Sequence, residues 1–210
     1  MLLMLLAAQA SAVDAERAFA ADAQKLGQWT AFRAYATDDA VMFEPQPVNA
    51  QAFLKNRPNP PKSVEWQPAR SFVSCDGSMA ANTGPWRNAN GGIGYFSTVW
   101  VKQSSGGWKW TMDGGDQVTP PHFEWDVPLE TRKASCSGSP PSASVIVNKG
   151  NQGRGASPDR TLVWSWTVFF DLSREFRAKL WNGSAYDEVI LDLIAAPKAP
   201  HVLLPPIPQP

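Results

Sequence analysis

Apolar residues recur at helical spacing near the start of the chain and at strand spacing through most of the remainder. Ala15, Ala18, Phe19, Ala23 and Leu26 form one stripe, which predicts a helix over Val13–Leu26 stopped by Gly27. A short second helix is expected over Gln28–Tyr35, with Trp29 and Phe32 on one face and Asp38-Asp39 ending it. Ala40–Phe43 reads as a short strand, and Asn49 can cap a third helix that runs to Lys55. The Asn56–Pro61 segment, with three prolines, cannot continue that helix.

The period then changes from helix to strand. Extended segments are expected over Val64–Val73, Met79–Trp86, Tyr95–Lys102 and Trp108–Asp113, divided by Asp76-Gly77, Gly91-Gly92 and Ser104–Gly107. Strict alternation puts Trp108, Trp110 and Met112 on one face and Lys109, Thr111 and Asp113 on the other, with Gly114-Gly115 as the stop. Loop chemistry dominates 127–160, with one short strand expected over Val145–Val147 and Gly150–Gly155 as a flexible loop. Alternation returns in Thr161–Phe170, where Leu162, Trp164, Trp166 and Val168 share a side. Arg174–Trp181 and Tyr186–Ile194 follow, joined at the Asn182-Gly183 turn.

Composition adds a compartment and removes several chemistries. Leu2 to Ala8 is an apolar run too short to span a bilayer, and Ala10-Ser11-Ala12 offers the small residues a signal peptidase reads. A signal peptide over 1–12 and a periplasmic or secreted location are therefore expected, with no stable membrane insertion. Lys plus Arg and Asp plus Glu balance at 19 each, so nothing favours nucleic acid. Cys75 and Cys136 are the only cysteines, and a bridge between them would close a loop of about 60 residues, stabilising by roughly 3–4 kcal/mol. Two unpaired thiols are the other reading of the same pair.

The two histidines, His122 and His201, lack partners at ligand spacing, so no metal and no cofactor is expected. No Gly-x-Ser-x-Gly elbow presents a serine nucleophile. Gly150–Gly155 lacks the Lys-Ser/Thr of a phosphate-binding loop.

Three short helices before a meander of strands predict an α+β fold, a curved antiparallel sheet wrapped on N-terminal helices with an added C-terminal β-rich extension. Asp39–Pro45, Tyr95–Trp100 and Gly107–Trp110, in that order of elements, resemble nuclear transport factor 2-like proteins, in particular the SnoaL-like branch and its relatives. The resemblance covers about 13–120 and implies a cone over 13–126; the rest of the chain departs from it and reads as a loop and hairpin extension over 127–196 and a Pro-rich tail over 197–210. It implies a pocket within the cone but no single activity, because that fold hosts isomerases, cyclases, dehydratases and binders.

Ten Trp and ten Phe supply the candidate lining: Phe43, Trp66, Trp86, Tyr95, Phe96, Trp100 and Trp110. The expected function is binding of a small hydrophobic molecule. In family enzymes a carboxylate inside the cone moves a proton, and Asp113 is the candidate base by position, with Tyr95 and Glu44 as neighbours. Aromatic residues on the other sheet face would serve a homodimer, making a non-enzymatic interaction module a third reading. Alternation alone does not say which face is which.

Overall fold

The structure, a computed structural model, describes residues 11–142 and 147–197. The apolar run at 1–10, the first residues of the strand expected at 145–147, and the tail from 198 onward lie outside the described residues.

Three helices come first: α1 (Ala12–Leu26), α2 (Gln28–Tyr35) and α3 (Ala50–Leu54). Ser11, read from sequence as part of a cleavage site, caps α1 by accepting from Asp14 N. Gly27 ends α1 at φ 98° and returns its N–H to Ala23 O. Asn49 caps α3, accepting from Ala52 N at 2.8 Å. The proline-rich 56–61 segment has a positive use, because Asn59 Oδ1 accepts from Thr30 N in the first turn of α2.

A curved, unclosed sheet wraps these helices. In chain order its strands are β1 (Ala36–Glu44), β2 (Gln46–Asn49), β3 (Glu65–Trp66), β4 (Arg70–Val73), β5 (Met79–Arg87), β6 (Ile93–Lys102), β7 (Trp108–Gln117) and β8 (Glu130–Lys133). Their order in space is β2-β1-β7-β6-β5-β4-β8, with β3 also on β5. The β1–β7 and β4–β8 pairs are parallel and the others antiparallel. Asp38 and Asp39 do not end α2, since Tyr35 already ends it and both aspartates lie within β1.

A second, five-stranded sheet follows: β9 (Val147–Lys149), β10 (Gln152–Ala156), β11 (Leu162–Val168), β12 (Arg174–Trp181) and β13 (Tyr186–Ile194). Gly150–Gly155 is thus a tight turn and most of a strand rather than a flexible loop. Its glycines answer to packing: a Cβ at Gly153 would meet Trp166 at 2.3 Å, and one at Gly155 would meet Trp164 at 2.7 Å. Both indoles lie against bare backbone.

Two apolar cores separate three layers. Phe19, Ala23, Phe32 and Tyr35 of the helices meet Met42, Trp66, Phe96, Trp100, Trp108 and Trp110 on one face of the first sheet. On its other face Val41, Phe72, Met79, Val99 and Met112 meet Leu162, Trp164, Trp166, Val168, Phe176 and Leu180 of the second sheet. The 147–194 strands therefore stack on the first sheet, and only β8 lengthens it. The disulfide Cys75–Cys136 ties the β4–β5 turn to the segment leaving β8.

Alternation fails at one place, and that place sets the site. Val99 pairs with Met112 and Trp100 with Trp110, leaving Thr111 unpaired in a β-bulge. Met112 consequently faces the second sheet while Trp108 and Trp110 face the helices. Asp113 shares the helix side with Phe19 and Trp66, not the side expected from strict alternation.

Candidate functional site

A cavity of about 240 Å³ opens between the helical layer and the first sheet. Phe19 of α1 and Gln28, Trp29 and Phe32 of α2 form one wall. Met42 and Phe43 of β1, Val64, Trp66 of β3, Trp86 of β5 and Phe96 of β6 form the opposite one. Asp113, Gly114, Gly115 and Asp116 of β7 complete it, together with Arg174 from the first position of β12. The expected strand stop at Gly114-Gly115 is instead mid-strand, where Gly115 pairs with Phe96. A Cβ on Gly115 would meet Tyr95 O at 2.2 Å, so glycine is required for the close pairing. With no side chains at these two positions, bare backbone borders the cavity.

Asp113 is the carboxylate that the bulge turns toward this space. The Thr98 hydroxyl donates to its Oδ2 at 2.9 Å. Burial pushes its pKa up to about 7, against the opposing pull of Thr98 and of the Arg174 charge. Such a group exists in both protonation states near neutral pH and can accept or release a proton there.

A second buried acid lies deeper. Glu16 occupies the apolar stripe of α1 and is fully enclosed. It accepts from Trp66 Nε1 at 2.9 Å, from Trp100 Nε1 at 2.6 Å and from Asn82 Nδ2 at 3.3 Å. Burial raises its pKa to about 7, while the three donors act the other way and Asp113 adds repulsion. Glu16 does not line the cavity, but it anchors Trp66, which does.

Of the residues proposed from sequence, Phe43, Trp66, Trp86, Phe96 and Asp113 come together around the cavity. Three do not. Trp100 and Trp110 are fully buried in the helix–sheet core, packed against Phe19, Tyr35 and Phe32. Tyr95 alternates with Phe96 and so faces away from the helices, where its ring stacks on His122 at 4.6 Å. Glu44, offered as a neighbour of Asp113, is exposed at the end of β1. Phe19, Trp29, Phe32, Asp116 and Arg174 were missed. An acid at position 16 within the stripe Ala12-Ala15-Phe19-Ala23 was a readable sign of a buried carboxyl, whereas nothing local to Arg174 announced its destination.

The described residues contain no cluster of three or more metal-ligating side chains and no helix long and apolar enough to cross a membrane. No protein-family model matches the chain, and no curated protein matches it. Among solved structures, it is similar to a provisionally named ketosteroid isomerase from Shewanella frigidimarina NCIMB 400, at 16% identity and a TM-score of 0.37, covering 51% of this chain and 96% of that one.

Proposed function

We propose that the helices and first sheet form a cone of the nuclear transport factor 2-like kind that binds a small, ring-bearing apolar molecule. The observation that carries this reading is the cavity itself, walled by Phe19, Trp29, Phe32, Trp66, Trp86 and Phe96 with few polar groups. Its volume, about 240 Å³, falls below the roughly 300–1,000 Å³ of drug-sized sites. A ligand of one or two fused rings fits better than a four-ring one. Because Trp29, Trp66 and Trp86 line the space, binding should quench intrinsic fluorescence and raise Tm together. A panel of mono- and bicyclic compounds that changes neither signal would count decisively against the reading.

Asp113 supports a second reading, in which the bound molecule loses or gains a proton. Its carboxyl borders an apolar cavity and is held near pKa 7 by burial. General-base catalysis contributes on the order of 10²–10⁴ in rate. Exchange of an acidic carbon-bound proton of a bound ligand into heavy water, followed by NMR, should fall by about that factor in Asp113→Asn. Equal exchange by the two proteins would remove Asp113 from any such role.

The Cys75–Cys136 bridge supports placing the protein in an oxidising compartment, which is the location proposed here.

A further inference from the structure

Arg174 belongs to the second sheet, yet it lines the cavity of the first. Only 8% of its surface is exposed. One guanidinium nitrogen donates to Gly115 O at 2.8 Å, and the group lies over the Phe43 ring, 4.4 Å from its centroid. Among the described residues no carboxylate comes within ion-pair distance of it. Buried charges are ordinarily paired, and a guanidinium presents five N–H donors in a rigid fork. Among the described residues, one of those donors is used. Asp116, Asp192 and Asp113 act on Arg174 at longer range, which helps it keep its charge without occupying the fork.

The geometry points to Arg174 as the anchor for a carboxylate, so that the cavity takes a small ring-bearing carboxylic acid with its ring against the aromatic wall. This rests on the ligand-binding reading above and names its ligand class. A carboxylate matches the guanidinium fork with two parallel hydrogen bonds, which a single carbonyl oxygen cannot do. Asp113 and Asp116 on the same wall set an upper limit on ligand charge, favouring a monoanion over a phosphate. The second sheet, on this account, is half of the recognition site as well as a cover for the first.

The test is calorimetric titration of the whole protein with three matched probes: indane, indane carboxamide and indane carboxylate. The carboxylate should bind at least roughly tenfold more tightly than the carboxamide. Arg174→Met should erase that preference, bringing the carboxylate down to the affinity of the carboxamide, and Arg174→Lys, which keeps the charge but not the fork, should retain part of it. Equal affinity for carboxylate and carboxamide in the wild-type protein overturns the proposal. So does a preference that survives in Arg174→Met. Binding of indane with no gain from the carboxylate overturns the proposal alone, whereas binding of none of the three removes the cavity reading with it. Near-UV circular dichroism reports whether Arg174→Met folds, and the wild-type comparison with Arg174→Lys decides the matter if it does not.

Discussion

Glu16 and Asp113 are held where their protonated forms are favoured, and stability must therefore depend on pH. Both groups have folded-state pKa values raised to about 7 by burial, from model values of 4.5 and 3.8. The folded protein thus keeps protons that the unfolded chain releases, so stability falls as pH rises from about 4 through 7. For Glu16, which is fully enclosed, the loss is on the order of 3 kcal/mol across that window. Chemical denaturation between pH 5 and 8 should show this slope, and Glu16→Gln should flatten it by about Glu16's share while sparing the part due to Asp113. A slope of the opposite sign would contradict the burial argument at both sites. The pairing of Glu16 with two indoles also couples this acid to the cavity, since Trp66 stands between them.

Among the elements, the connection between the sheets is the most exposed to a direct test. Cys75–Cys136 closes a loop with a sequence separation of 61, and the chain-entropy model assigns such a loop about 4 kcal/mol. Replacing both cysteines by serine should lower Tm on the order of 10 °C for a chain of this size. An unchanged Tm, or free thiols detected by alkylation of the freshly isolated protein, would show that the bridge is absent or idle. The helices and most strands were legible because each carries one clear period. The α2 boundaries and those of β12 and β13 follow from Gly27, Asn182-Gly183 and the apolar alternation. Two elements were misread for one physical reason: glycine was taken as a breaker where it was a packing device. Gly115 admits the close approach of the Tyr95 carbonyl, and Gly153 and Gly155 admit the indoles of Trp166 and Trp164. The candidate site was half legible. Phe43, Trp66, Trp86, Phe96 and Asp113 were visible as residue types, but the bulge at Thr111 that aims Asp113 is a departure from period two that alternation cannot register. Arg174 was illegible because its role depends on how two sheets stack, about 60 residues apart along the chain.

For the whole molecule, the stacking order decides what the surface can offer. The sheet face considered for homodimer formation is occupied by the chain's own second sheet, through Leu162, Trp164, Trp166 and Leu180. Any self-association would have to use other surfaces. The layered arrangement also explains the low charge content of the chain, 18%, because a three-layer molecule of this length has two cores to fill. Eight of the ten tryptophans lie in those cores or on the cavity wall, all but Trp125 and Trp181. The strands differ accordingly. In β11, and in β12 as far as Leu180, every second residue is buried and the others are partly open. In β5 and β6 seven consecutive residues are buried, Met79–Pro85 and Gly94–Trp100. These two central strands therefore have no permissive side over those stretches. Sequence drift in this protein has room in alternate positions of the outer sheet but almost none in the buried runs of β5 and β6, so the wall behind the cavity should diverge slowly even if the ligand it serves has changed.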